Sequence, residues 1–508
     1  MKALSFFAAS SFVLASMYAG CATVPGNGFC EDVPGACGAA DGSVTDSGGD
    51  GGVRPDSGPC GADKTPFETN CTPTEGTFVK PGATGGDGTI GKPLGSLATA
   101  LAKGGNIYVC AGTLSEKIAL SSTQVAAKVY GGLDCATWRF ADGAATKVVV
   151  ANGPALAVTD AAEALLFSDV NFEAQAGDGS PAGQSRIAAT ASNAKALSFV
   201  RSTFVAEPGE RGADGTDGTP NGWEAGETGG GNAGTKVPVA GGAKKLCACT
   251  DGTSSTGGQG GPRNTPGNPG ASSPAEFDET GAYTGQGGDL DAIGCTGTRI
   301  TGGKNGRAGA PGVAATTLGA LSETGWVSTD GTSAEASNPG GGGGGGGGGD
   351  TFGGGGGGCG GCGGGFGAGG TGGGASIGFA SIGTKVRFTT CTFVVGAGGI
   401  GGKGGKGLAG NGGAGGAGGA CPGGNGGNGA GGSGGAGGTG GISAGIAYTG
   451  ATPIVDPTTK YTKPASAAKG GAGGVAGAKA STGDHAGNPG LAGAAGKDGE
   501  VADVFDAN

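Results

Sequence analysis

The stretches ALAVTDAAEALLFSDVNF (155–172) and IAATASNAKALSFVRSTF (187–204) align without a gap over 18 residues, and ASIGTKVRFTTCTFV (380–394) aligns in the same way with residues 191–205. Each carries an F-x4-F pair: Phe167/Phe172, Phe199/Phe204 and Phe388/Phe393. A 32-residue repeat with alternating apolar positions reads as one coil of a β-solenoid.

Side chains in a strand alternate between faces, so Leu165 and Phe167 share one face while Leu166 and Ser168 take the other. The spacing of five between the phenylalanines breaks that parity, which demands a bend between them. Stacked coils place Phe167, Phe199 and Phe388 in one column and Leu165, Leu197 and Val386 in the next. Asn171, Thr203 and Thr392 form a polar column able to hydrogen-bond along the stack, and Asp169, Arg201 and Thr390 form an outward one with no ladder of acids.

Upstream, Ser96 is placed to cap a helix in which Leu97, Ala98 and Leu101 share a face, with Gly104-Gly105 as its stop. β-Runs follow at Ile107–Cys110 and Ala119–Leu120, then Val129 to Cys135 one coil later. This order, with Asp87-Gly88-Thr89, Lys92-Pro93 and Tyr108-Val109-x-Ala-Gly-Thr ahead of Glu116, resembles the amino-terminal cap and first coil of right-handed parallel β-helices of the pectin-lyase type. The resemblance covers residues 76–206, with single coils near 376–396 and 443–461. It implies an all-β fold, a right-handed parallel β-helix (solenoid) carrying large glycine-rich insertions.

The chain has 508 residues, 132 of them glycine, and 5% aromatics, which leaves little apolar material for globular cores. A net charge of -10 without a basic cluster excludes nucleic acid as a partner. The first 20 residues read as a signal peptide: Lys2, an apolar stretch Ala3–Ala15 too short to span a bilayer, then Ala19-Gly20 before Cys21. This resembles a bacterial lipoprotein signal, which implies acylation of Cys21 and a membrane partner through the lipid anchor, at the outer membrane or cell surface. A plain secretory signal with Cys21 in a disulfide is the alternative.

Export favours disulfides over metal ligands for the 14 cysteines. Cys30/Cys37, Cys60/Cys71 and Cys110/Cys135 are close in sequence, and a Cys391–Cys421 bridge would close the loop that follows the third F-x4-F coil. Cys359 and Cys362 are further disulfide candidates, although the Cys359-Gly-Gly-Cys362 spacing superficially suggests zinc or redox chemistry. Cys247-x-Cys249 lacks the two-residue spacing, and His485 is the single histidine, so no metal site and no cofactor are expected. Acylation of Cys21 would leave an odd number of thiols, one of them free or intermolecular.

The organisation read from these features is a signal peptide 1–20, a Gly/Asp/Pro-rich tether 21–75, a capped β-helix 76–206, a glycine-rich insertion 207–375, a coil 376–396, a Gly-Gly-x segment 397–442, a terminal coil 443–463 and a glycine-rich tail 464–508. A flexible tether of that length spans roughly 40 Å. The triplet runs are too short and proline-poor for collagen. The Gly-Gly-x segments instead resemble those of PE-PGRS-type surface proteins, which implies polyglycine II helices packed side by side; a flexible linker is the alternative. With three residues per turn, two faces of the 412–441 segment are glycine, and Ala414, Ala417, Asn425, Ser433 and Thr439 are expected to point outward.

Function divides into two classes. The first is a non-catalytic surface lipoprotein with a structural, adhesive or matrix-binding role toward polysaccharide or extracellular matrix. The second is a carbohydrate-active enzyme, a polysaccharide lyase or glycosidase on a β-helix. A lyase needs a basic proton abstractor beside clustered carboxylates. Asp169, Arg201 and Thr390 supply one residue of each type, Lys117, Lys195 and Arg387 are isolated, and Trp138, Trp223 and Trp326 are scattered, so no catalytic residue is assigned. One tail histidine builds no Ser/His/Asp triad.

Overall fold

The computed structural model describes residues 58–60, 65–275, 277–278, 281–282, 284–288, 301–480 and 486–508. Cys21, Cys30, Cys37, His485 and the signal peptide lie outside them.

The fold is all-β, built on three stacked parallel sheets. The chain visits them in rotation. Gly105–Cys110 enters the first sheet, Gly112–Leu114 the third and Ile118–Leu120 the second, before Ala127–Leu133 returns to the first beside Gly105–Cys110. Among the described residues the first sheet has seven strands and the other two have six each. The repeat register holds residue for residue: Phe167 pairs with Phe199 and Phe199 with Phe388, while Phe172 pairs with Phe204 and Phe204 with Phe393. The rings stack at 5.5 Å in the first column and at 5.6 and 5.0 Å in the second, which Tyr461 extends at 5.3 Å. The columns meet edge to face, as aromatic quadrupoles prefer.

The bend between paired phenylalanines is a single left-handed residue: Asp169, Arg201 and Thr390 have φ of 59°, 48° and 52°. At the corner between the second and first sheets the same conformation falls on Asp160, Asn193, Gly383 and Gly450. Asn171 Oδ1 accepts the backbone N–H of Thr203 at 2.9 Å along the polar column. At the start of the stack, Leu97–Leu101 forms the cap helix with Ser96 at its N-cap. Leu97, Ala100 and Leu101 are buried, so Ala100 takes the place expected for Ala98. The Glu116 carboxylate accepts Ser96 Oγ and Leu97 N–H, each at 2.7 Å, and so satisfies the open helix end.

All three glycine-rich segments leave from one corner, the connection from the third sheet to the second: after Thr203–Ala206, after Thr392–Val395 and after Lys460–Thr462. The tail then returns as the strand Val501–Asp506, which completes the second sheet. Between these strands the glycine-rich runs lie alongside one another and bond both within one segment, as 426–441 does to 399–414, and between segments. Gly355, Gly358, Gly361, Gly364, Gly367, Gly370 and Gly373 donate to Cys421, Gly424, Gly427, Ala430, Ser433, Ala436 and Thr439 at 2.7–3.0 Å, a parallel ladder with a rung every third residue. Gly399, Gly402 and Gly405 donate antiparallel to Gly374, Thr371 and Ala368 with the same period. Residues 423–441 exchange such bonds with 353–373, 399–417, 329–344, 303–312, 471–477 and 488–497, which makes six neighbours. Glycine is required there by volume, because a Cβ on Gly402, Gly432 or Gly435 would overlap the carbonyl of Ala213, Gly365 or Ala368.

Several expectations are corrected. Ser433 and Thr439 point inward and are fully buried, with Ser433 Oγ donating to Gly309 O at 2.6 Å and Thr439 Oγ1 to Thr329 O at 2.9 Å. Cys60–Cys71 and Cys110–Cys135 are bonded. Cys359 and Cys362 do not pair with each other but with Cys247 and Cys249, and so staple a β-hairpin to the central glycine segment. The Cys391–Cys421 bridge does not form. Cys421 is disulfide-bonded, whereas Cys391 is a buried free thiol in the coil interior. The end of the stretch read as tether is folded: the helix Pro66–Thr69 and the bridge between Pro59 and Thr72 lie against the coils.

Candidate functional site

The outer face of the second sheet carries small and aliphatic side chains, because its strands repeat Ala157, Thr190, Ala380 and Ala447 in one register row and Ile187, Ile377 and Ala444 in another. Over the later coils this face is covered. A hairpin from the large insertion, Gly319–Ser322 with Gly325–Ser328, lays Trp326 and Leu318 on Ile187, Ile377 and Ala444, and Phe505 meets the Trp326 ring edge-on at 5.6 Å. Over the earlier coils it is open.

The uncovered part is a groove of about 760 Å³. Ala157, Ile187 and Thr190 form its floor, the turn at Asn152–Pro154 and the Gly183–Ser185 loop one wall, and the hairpin tip the other. Its charged groups are Lys117, Glu323 and Asp330. The hairpin wall is fixed by hydrogen bonds from Ser185 Oγ to Trp326 O at 3.0 Å, from Asn193 Nδ2 to Glu323 Oε1 at 3.3 Å and from Gly372 N to Asp330 Oδ1 at 2.8 Å. Beside the groove, Arg186 is fully buried at the corner that Ser376 and Ser443 occupy in later coils, its guanidinium bonded to Ser180 Oγ at 2.7 Å and Glu210 Oε1 at 2.9 Å.

Of the charged residues singled out from the sequence, Lys117 alone lines this groove. Asp169 and Arg201 sit at the corner between the first and third sheets, joined by a two-pronged ion pair at 2.8 and 2.7 Å. Thr390 N–H at the same corner donates to Asp456 Oδ2 at 3.0 Å. Lys195 and Arg387 lie on or beside first-sheet strands and have partners of their own. Trp138 is buried with Phe78, Tyr108, Cys110 and Leu133, and Trp223 donates its indole N–H to Gly360 O at 3.2 Å. Glu323 and Asp330 were not found from the sequence, although LGALSETGWVS (318–328), two short β-runs around a Glu323-Thr324 turn followed by Gly325, is a hairpin signal inside the glycine-rich insertion.

Among the described residues no group of three or more His, Cys, Asp or Glu is placed to hold a metal ion. No helix among them is long and apolar enough to cross a membrane. The flank of the glycine bundle is electrostatically organised: Asp214 and Asp217 accept the backbone N–H of Lys403 and Lys406 at 2.7 and 2.8 Å. The first of these bonds is the main reason that the Asp214 carboxyl is held below the usual carboxylate range. No protein-family model, no curated protein and no solved structure matches the chain.

Proposed function

We propose that the chain is a non-catalytic, surface-displayed structural or adhesive lipoprotein, in which a right-handed parallel β-helix acts as a spine and packed polyglycine II helices project from one of its corners. The observation that carries this reading is the six-neighbour, period-three hydrogen bonding around residues 423–441. A bundle whose interior is backbone, small polar and apolar side chains and disulfide-bonded cysteines holds an extended outer surface in fixed geometry, which suits contact with polysaccharide or matrix. Cys21 is the lipidation site in this reading. Cys21→Ser should move the protein from the membrane to the soluble fraction, and an unchanged membrane fraction overturns the anchor. Binding of the exported chain to a polysaccharide and matrix panel tests the adhesive role, with Gly435→Val as the control that disrupts the bundle. Binding that is equal in both would assign the contact to the coils.

A second reading, a carbohydrate-active enzyme, draws on the groove with Lys117, Glu323 and Asp330 on its walls. Incubation with acidic polysaccharides and calcium, followed by ultraviolet detection of unsaturated ends, tests it. Turnover abolished by Lys117→Ala would establish the enzyme and displace the adhesive reading.

A further inference from the structure

We propose that the outer edge of the glycine bundle, where exposed cations and aliphatic side chains share four adjoining runs, docks on an anionic lipid surface. Four of the six neighbours of 423–441 follow one another around its outer side. Gly401, Gly404 and Gly407 donate to Lys469, Ala472 and Val475 O, Gly490 and Gly493 to Gly477 and Gly474 O, and Ala494 to Gly312 O, all at 2.8–3.0 Å. Runs 353–373 and 329–344 take the other two sides, so these four form a convex edge. Over residues 303–313, 399–409, 469–479 and 487–499 this edge carries six exposed cations, Arg307, Lys403, Lys406, Lys469, Lys479 and Lys497, against one acid, Asp498, in a chain of net charge -10. Lys469 Nζ holds that acid at 2.7 Å. Further acids stand one run away: Asp214 and Asp217 accept the N–H groups of Lys403 and Lys406, and Glu335 N–H donates to Ala310 O at 2.9 Å. The basic edge is a product of packing, since Arg307, Lys403 and Lys497 are remote from one another in the chain.

Successive side chains on one face of a polyglycine II run stand about 9 Å apart. Lys403 and Lys406 are one such step, in a row that begins with Ile400, 50% exposed. Val475 and Leu491, 63% and 49% exposed, lie on the two middle runs, which Gly490 N–H and Gly477 O join beside them. Lysines are drawn to a negatively charged headgroup layer within a Debye length of it, and aliphatic side chains between them enter the interface. A soluble polyanion would engage the cations and leave Val475 and Leu491 in water. Duplex nucleic acid carries one charge per about 1.7 Å, far denser than a lysine every 9 Å or so. A convex edge also meets a plane more fully than it meets a polymer that needs a cleft.

The test uses the full chain carrying Cys21→Ser, which removes any acyl contribution and so keeps the outcome separate from that of the lipid anchor. Flotation compares vesicles of phosphatidylcholine alone with vesicles that also contain phosphatidylglycerol. Binding should be roughly tenfold tighter to the anionic vesicles, and should fall roughly tenfold in Lys479→Glu/Lys497→Glu and several-fold in Leu491→Ser. Lys236→Glu/Lys244→Glu changes the net charge equally at exposed positions off the edge and should leave binding within about twofold. Equal binding to both vesicle types, or equal losses in the two double variants, overturns the proposal. Unchanged binding by Leu491→Ser, together with full competition by soluble polygalacturonate, overturns it in favour of an acidic polysaccharide. If Lys479→Glu/Lys497→Glu loses amide protection over 423–441, lysine acetylation of the parent chain decides. Protection of Lys403, Lys469 and Lys497 by anionic vesicles while Lys236 and Lys244 stay reactive supports docking, and uniform labelling overturns it.

Discussion

The coils and the glycine bundle bury nearly opposite materials. In the coils, Phe167, Phe199, Phe204, Phe388 and Phe393 fill the interior, and glycine appears where a left-handed corner needs it, as at Gly383 and Gly450. In the bundle, Gly402, Gly432 and Gly435 adopt ordinary backbone angles and are glycine because a neighbouring carbonyl occupies the place of a side chain. Both regions solve one problem in the same way: their backbone amides are satisfied by adjacent runs of chain lying alongside and not by residues of the same run. The coils are therefore held together by side-chain burial as well as by hydrogen bonds, and the bundle almost wholly by hydrogen bonds and close backbone contact. Ordering glycine costs the most backbone entropy, which explains why the bundle grows from a rigid corner and is stapled to a hairpin by two disulfides.

Phe199→Ala probes this contrast most severely. Its ring touches Phe167, Phe172, Phe204, Phe379 and Phe388, so truncation should cost about 4 kcal/mol and lower the coil unfolding midpoint in denaturant. Loss below 1 kcal/mol would show that the aromatic columns do not carry the coil. Gly435→Val should cost about 3 kcal/mol by overpacking, read as faster amide exchange through 423–441 while 196–206 stays protected. Exchange already at random-coil rates in the parent would remove the bundle altogether.

Alkaline pH tests the coil side alone. Burial first, then Tyr108, pushes the Tyr130 phenol up to about 12, and burial first, then Asp503, does the same for Tyr461. The unfolded chain releases these protons near 10 and the folded chain near 12. Stability is then full below pH 10 and lost as the pH rises toward 12. A melting temperature that stays flat across that window in wild type but not in a Tyr130→Phe variant would contradict the assignment. Thr439→Val keeps the volume but removes the hydroxyl that donates to Leu318 O and Thr329 O, and should cost about 1 kcal/mol. Gly418→Ala should be neutral or stabilising by about 0.5 kcal/mol, because nothing lies within reach of its Cβ. A destabilisation comparable to Gly435→Val would mean that steric closeness is not what selects glycine here.

The register of the coils was legible because it is written locally. The same local pattern around each puts Phe167, Phe199 and Phe388 in one column whatever lies between, and the broken parity of F-x4-F announces the corner at Asp169, Arg201 and Thr390. The period of three in the glycine segments was equally visible. The groove was not: its floor comes from the coils and its far wall from a hairpin more than a hundred residues away, at Glu323 and Trp326.

The sequence by itself therefore determined the repeat, the columns and the cap at Ser96, because each is set by a pattern repeated within a coil, whereas Cys60–Cys71 and Cys110–Cys135 were only plausible neighbours. Only the tertiary structure decided that Cys247 and Cys249 meet Cys359 and Cys362, that Ser433 and Thr439 turn inward, that Cys391 stays a buried thiol, and that Val501–Asp506 returns to the second sheet. A segment with three residues per turn offers three near-equivalent faces, and its own sequence does not say which neighbour covers each. That choice belongs to the six-neighbour packing around it, where the backbone hydrogen bonds are satisfied between segments far apart in the chain.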